Sequence, residues 1–90
     1  MTKAEIVTRI NEKTGIEKVA VMAIVEEVMA SIKENMANGE NVYLRGFGTF
    51  HIVERKEKIG RNLRNNTSLL VPSRRVPYFK PSRTFIDMMK

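Results

Sequence analysis

The feature that most constrains this chain is where its apolar side chains stop. From Glu54 to Arg64 only Ile59 and Leu63 are large and apolar, while Arg55, Lys56, Lys58, Arg61 and Arg64 crowd the same stretch. A segment of that kind cannot hold itself against a protein body by apolar burial. It either projects as a ribbon or remains a loop, and Gly60 with Asn65-Asn66 supplies turn residues that favour the ribbon. The rest of the 90 residues must build the core. A chain that small buries roughly 60–65% of its unfolded surface, so a lone core is marginal and oligomerisation is a common remedy. With no cysteine, neither a disulfide framework nor a thiolate zinc site is available.

Hydrophobic periodicity divides the chain into three parts. Thr2-Lys3-Ala4-Glu5 fits a capping box, Ile6, Val7 and Ile10 follow on one face, and Gly15 supplies a stop, which predicts a helix over 3–14. Val21, Val25, Val28, Ile32 and Met36 form one stripe of a second helix over about 18–38 that ends at Asn38-Gly39. Met22 and Met29 widen that stripe beyond what one small core needs, which is consistent with a dimer seam. Plain core filling is the ordinary role of such methionines. From Asn41 the period becomes two. Val42 and Leu44, then Phe50 and Ile52, flank Gly46-Phe47-Gly48, which predicts a hairpin with a glycine-rich turn. Leu69-Leu70-Val71 reads as a returning strand, and the proline content of Arg74–Pro81 rules out a central strand there. Ser82 can cap a short last helix over 83–90, with Phe85 and Met89 four apart. The expected fold is α+β: two N-terminal helices, an antiparallel sheet with a protruding β-ribbon arm, and a short C-terminal helix. It forms a single domain, with a helical dimerisation part over 1–40, a sheet over 41–82 carrying the arm at about 53–76, and the last helix over 83–90.

Charge follows the same division. Residues 1–40 hold five basic and seven acidic side chains, a net of −2, while residues 41–90 hold eleven and three, a net of +8. A near-neutral scaffold joined to a strongly basic half predicts an anion-binding surface, with nucleic acid the first candidate and a membrane surface the second. A merely solvated basic face is the plain alternative. Arg55, Lys56, Lys58, Arg61 and Arg64 on the outgoing strand, and Arg74, Arg75, Lys80 and Arg83 on the return, suit a two-stranded ribbon tracking phosphates along a groove. Asn62, Asn65 and Asn66 are the few candidates for reading bases, so shape and deformability are the expected basis of recognition.

Catalytic chemistry finds little to work with. The chain has one histidine, His51, and one aspartate, Asp87, at positions that do not suggest a triad. His51 alternates with Phe50 and Ile52 and is expected to face solvent or DNA rather than a metal. Gly46-x-Gly48 lacks the third glycine and the Lys-Ser/Thr of nucleotide loops, but its backbone N–H groups could meet a phosphate. No enzyme activity, cofactor, metal or small-molecule substrate is expected. The longest apolar run, Val19–Val25, is far below the ~18 residues of a membrane span. Met1–Glu5 has no apolar signal region, which predicts a cytoplasmic protein with no membrane partner.

At Arg45-Gly46-Phe47-Gly48-Thr49-Phe50 the residues match a known pattern. Together with Gly60-Arg61-Asn62 and Val76-Pro77-x-Phe79-Lys80, this hexapeptide makes the whole chain resemble the bacterial HU / integration host factor family of histone-like DNA-binding proteins. The resemblance implies an intertwined homodimer, or a heterodimer with a paralogue, with the second helix in the seam. It implies two β-arms that embrace the minor groove of double-stranded DNA and bend it, largely without regard to sequence, in a nucleoid-associated protein. By the same analogy Arg55, Lys58, Arg61 and Asn62 line the arm's DNA face, and Lys3, Lys18 and Arg83 meet flanking phosphates. Gly46 and Gly48 offer backbone amides. Two departures stand out. Leu63 occupies the place of the family's usual wedge proline, and Ile86 that of a basic residue in the last helix. A sequence-preferring, integration-host-factor-like protein and a protein-interaction module with a basic arm are the alternatives.

Overall fold

The computed structural model describes the backbone of residues 1–56, 58–62, 67–71 and 73–90, and the side chains of residues 1–56 and 73–90. Two compact units divide near Asn35 and Met36. The first contains α1, Lys3–Thr14, and most of α2, Lys18–Ala37. Thr2 caps α1 by accepting the Glu5 N–H at 3.2 Å, and Gly15 ends it with φ 76°, its N–H donating to the Asn11 carbonyl at 2.8 Å. Both helices begin and end within a residue of the expected positions.

Among the described residues the buried apolar side chains are Val7, Val21 and Met36. That is a thin core for two helices. On α2 the stripe is graded rather than uniformly covered: Val21 and Met36 are buried, Val25 and Ile32 half-buried, and Val28 is 49% exposed. Val19, Ile24 and Met29 are exposed as well, so α2 shows apolar side chains around much of its circumference. A helix of that composition is normally covered on more than one side.

The second unit carries the strands. β1, Val42–Leu44, pairs antiparallel with β2, Gly48–Arg55, in the register Val42↔Phe50 and Leu44↔Gly48. The intervening turn closes with the Phe47 N–H donating to the Leu44 carbonyl at 2.9 Å, and Gly46 takes φ 81°. β5, Arg74–Pro81, pairs with the other side of β2 over eight positions, from Gly48↔Pro81 to Arg55↔Arg74. The sheet order β1-β2-β5 makes β5 an edge strand, where Pro77 and Pro81 are tolerated because one side of the strand has no ladder partner within the sheet. β3, Lys58–Asn62, and β4, Thr67–Val71, pair as a separate antiparallel ribbon. The ribbon expected for the basic excursion is therefore present, in the register Lys58↔Val71 to Asn62↔Thr67. Leu63, Arg64, Asn65 and Asn66 lie outside the described residues.

All four phenylalanines gather on one face of the sheet. Phe47 lies 5.0 Å from Phe79 and 5.5 Å from Phe85 between ring centroids, and Phe50 lies 4.8 Å from Phe79. The cluster fastens the β1–β2 turn to α3, Arg83–Asp87, a link that the Ser82 N–H completes by donating to the Phe47 carbonyl at 2.9 Å. Ser82 also caps α3, accepting the Phe85 N–H at 3.1 Å. The last helix is shorter than the expected 83–90. It stops at Asp87, where the Met88 N–H is shared between the Thr84 and Phe85 carbonyls and the chain tightens into a turn. Met89 is 78% exposed and does not join Phe85 in the cluster.

Candidate nucleic-acid interface

Strand register sorts the basic residues between two faces. Residues directly opposite in an antiparallel pair share a face, and alternate residues along a strand change face. Phe50 and Phe79 define the inner face, so Thr49, His51, Val53 and Arg55 of β2 lie on the outer one, with Arg74, Val76, Tyr78 and Lys80 of β5. Three predicted contacts, Arg55, Arg74 and Lys80, thus come together on one exposed surface. Arg75 does not join them: it sits opposite Glu54 on the inner-face register. Lys56 lies just beyond β2 and is exposed.

The Arg55–Arg74 pair is the most telling part of this surface. Two guanidinium side chains stand directly opposite at the last rung of the β2–β5 ladder, and like charges in that relation are destabilising. A polyanion laid across them turns that repulsion into attraction. Lys58, Arg61 and Asn62 continue the outgoing strand as part of β3, on described backbone but with side chains outside the described residues. Leu63 and Arg64 lie outside entirely.

A second basic site lies around the glycine turn. A groove of about 400 Å³ is bordered by Tyr43, Arg45, Gly46, Lys80 and Arg83. Gly46 is exposed at the rim, with open space where a Cβ would stand and a left-handed φ that disfavours any other residue. Gly48 differs. It is buried, and a Cβ there would stand 2.6 Å from the Lys80 carbonyl oxygen and 2.6 Å from the Phe79 ring. Close strand packing thus accounts for a glycine at position 48, which also borders the groove. Arg45 and Tyr43 are additions that sequence reasoning missed. For Arg45 the available signal was a cation directly before a glycine-rich turn. Arg83 is held toward Asp87, its Nε donating to Oδ1 at 3.3 Å, yet its side chain remains 82% exposed.

In the helical unit, Lys18 is exposed at the start of α2. Lys3 is already engaged, its Nζ donating to Glu26 Oε1 at 2.8 Å. That hydrogen bond and the adjacent positive charge hold the Glu26 carboxyl below its ordinary pKa. His51 is half-buried rather than open to solvent. Its ring meets Tyr78 edge-on at 5.1 Å, and its Nε2 is shielded with no hydrogen-bond partner, so the imidazole acts as an aromatic packing element. Among the described residues no three His, Cys, Asp or Glu side chains gather as metal ligands, and no helix is long and apolar enough to cross a membrane.

A two-helix unit, a small antiparallel sheet and a ribbon whose sequence is basic together define a class of small DNA-binding protein. The chain belongs to the family described as bacterial DNA-binding protein, whose pattern matches residues 1–90, and which includes HU and integration host factor. It is 36% identical over 90 residues to DNA-binding protein HU of Thermus thermophilus, covering all of this chain and 93% of that one. It is 40% identical over 83 residues to the integration host factor alpha subunit of an Anaeromyxobacter species, covering 92% of this chain and 84% of the relative. The fold superposes on the HU chain of an Anabaena HU–DNA cocrystal structure with a TM-score of 0.89 and 34% identity, covering 99% of this chain and 97% of that one.

Proposed function

We propose that this chain is a non-catalytic architectural protein that binds double-stranded DNA as a dimer, grips the minor groove with its β-arms and bends the duplex with little regard to sequence. The observation that carries this reading is the facing pair Arg55 and Arg74, at the point where the sheet gives way to the ribbon. Lys80, Lys56, Arg83 and the exposed Gly46 turn extend the phosphate-binding surface, and Lys58, Arg61, Asn62 and Arg64 continue it along the arm; Lys18, on the helical unit, is a separate phosphate contact in this reading. Leu63 is the wedge between base steps in this reading, since an apolar side chain at an arm tip can unstack a duplex. The uncovered apolar surface of α2 supports the dimer, whose second copy supplies the covering face and the second arm. The whole chain works as one DNA-binding domain, and the site of action is the bacterial nucleoid.

The integration-host-factor reading has no better support. The identities to the two branches are similar, and the superposed Anabaena neighbour is an HU chain. A mobility-shift comparison on linear, nicked and random duplexes at two salt concentrations tests the proposal. The expected result is similar affinity across sequences, tighter binding to nicked DNA, and a log–log salt slope of about −4 to −7, the value for roughly four to eight neutralised phosphates. A slope near zero would rule out backbone binding, and strong preference for one sequence with indifference to nicks would favour the sequence-reading branch.

A further inference from the structure

The outer face of the β1-β2-β5 sheet carries something that a phosphate clamp does not require. Tyr43 on β1, His51 on β2 and Tyr78 on β5 all lie on it, because Tyr43 pairs with Thr49, Thr49 shares its face with His51, and His51 pairs with Tyr78. The result is an aromatic row across three adjacent strands. Tyr43 is 73% exposed and Tyr78 55% exposed, on the same side as Lys80 and the Arg55–Arg74 pair.

We infer that this row is a stacking surface for unpaired nucleobases, so that the sheet takes a single-stranded stretch of nucleic acid; the inference rests on the nucleic-acid-binding reading of the same face. Three points support it. Aromatic rings exposed on an antiparallel sheet and flanked by cations are the arrangement by which proteins bind unpaired strands, the rings meeting base faces and the cations meeting phosphates. The rings are also braced before any ligand arrives. Asn41 accepts the Ile52 N–H on Oδ1 at 3.2 Å and donates from Nδ2 to the Tyr43 hydroxyl at 3.4 Å, and the Tyr78 ring rests against His51. Braced rings lose less conformational freedom on binding. Finally, phosphate binding alone explains Lys80, Arg55 and Arg74 but gives no role to the exposed Tyr78 ring.

The chain provides its own reporter. Tyr43 and Tyr78 are its only tyrosines and it has no tryptophan, so intrinsic tyrosine fluorescence comes from this surface alone. The full-length protein is titrated with an oligothymidylate, with an abasic deoxyribose-phosphate strand of equal length, with an oligouridylate and with a duplex. Affinity is read independently from labelled strands. The expected result is quenching by oligothymidylate, little quenching by the abasic strand, and about tenfold tighter binding of the strand that has bases, the scale of one stacked base. Tyr78→Leu should remove that advantage while Tyr78→Phe keeps it, and neither should alter duplex affinity by more than about twofold. Quenching by oligouridylate would extend the site to RNA, and its absence would restrict the site to DNA; either accords with a surface that takes base faces. Equal affinity for abasic and base-bearing strands would overturn the inference, as would a Tyr78→Leu loss of the same size on duplex. A protein that binds duplex with no base-dependent quenching keeps the DNA-binding reading and loses the stacking surface. One that binds no nucleic acid loses both.

Discussion

Lys3 Nζ lies 2.8 Å from Glu26 Oε1, joining the first turn of α1 to the middle of α2 across 23 residues of sequence. The side chains are 46% and 56% exposed, so the pair is a surface ion pair and contributes modestly to stability. Its pH dependence has a definite sign. The Lys3 hydrogen bond and charge lower the Glu26 pKa in the folded protein, so the contribution is complete above the ordinary value of 4.5 and disappears as pH falls through the lowered value. Thermal midpoints of the wild type and Glu26→Gln, followed from pH 7 to pH 3, should therefore differ slightly at neutral pH and converge at the acid end.

The same bond restrains a cation that the family resemblance places against flanking phosphates. Glu26→Gln releases Lys3, so duplex affinity at low salt should rise by about two- to fivefold, the scale of one exposed ion pair. The double variant Lys3→Gln/Glu26→Gln should lose that gain. Filter binding of a random duplex across a salt series measures both. A gain that survives in the double variant would place Lys3 away from the DNA path.

The two glycines of the turn should respond differently to alanine. At Gly48 the new Cβ meets the Lys80 carbonyl oxygen and the Phe79 ring at 2.6 Å, and a backbone atom in a paired strand cannot move aside easily. Gly48→Ala should cost about 1–3 kcal/mol, the usual range for overpacking. At Gly46 the Cβ meets nothing, and the penalty comes from φ 81° alone, about 1–2 kcal/mol for a left-handed residue with a side chain. Gly46→Asn should recover part of that loss, because asparagine tolerates the left-handed region, whereas Gly48→Asn should be worse than Gly48→Ala. Urea unfolding of the four variants distinguishes strain from overlap.

These contrasts also mark how far the sequence could be read. Thr2, Gly15 and the apolar stripe of α2 announce their helices locally, because caps and periodicity act over a few residues. The hairpin was equally legible from Gly46 and the alternation on either side of it. What alternation cannot tell is which strands meet. Which of Arg74 and Arg75 takes the outer face, and the meeting of Arg55 with Arg74, depend on the β2–β5 register between residues about twenty apart. Gly48 is distinguished from Gly46 only once Phe79 is placed over it. Alternation gives His51 its strand position, and so an expected exposure to solvent or DNA, but not its cross-strand partner Tyr78.

Facing guanidinium groups lead to an unusual expectation for Arg74→Ala. Removing one member relieves a cross-strand repulsion, so folding stability should stay level or rise by roughly 0.2–1 kcal/mol. DNA affinity should fall at the same time, and the salt slope should become shallower by about 0.9 for each phosphate that is no longer neutralised. A variant that folds better and binds worse is hard to explain by structural damage. A variant that melts earlier and keeps its slope would show that Arg74 serves the fold.

The last prediction concerns the surface of α2. Val19, Ile24, Val28 and Met29 are all more than 40% exposed on a helix of 20 residues, while Val7 and Val21 are the buried apolar side chains of the helical unit. An apolar surface of this size needs a cover, and a second copy of the same surface is the cover the dimer proposal requires. Placing a carboxylate there should separate the copies, because each charge would be desolvated without a partner in a two-fold contact. Ile24→Asp and Val28→Asp should each raise the dimer dissociation constant by at least about a hundredfold, since an unpaired buried charge opposes association by several kcal/mol. Glu27→Asp, an acidic exchange on the same turn, should change nothing. Sedimentation velocity over a concentration series reads the oligomeric state directly. Circular dichroism of the monomeric variants then tells whether one copy can fold alone, and the thinness of its core predicts a marked loss of helix on dissociation.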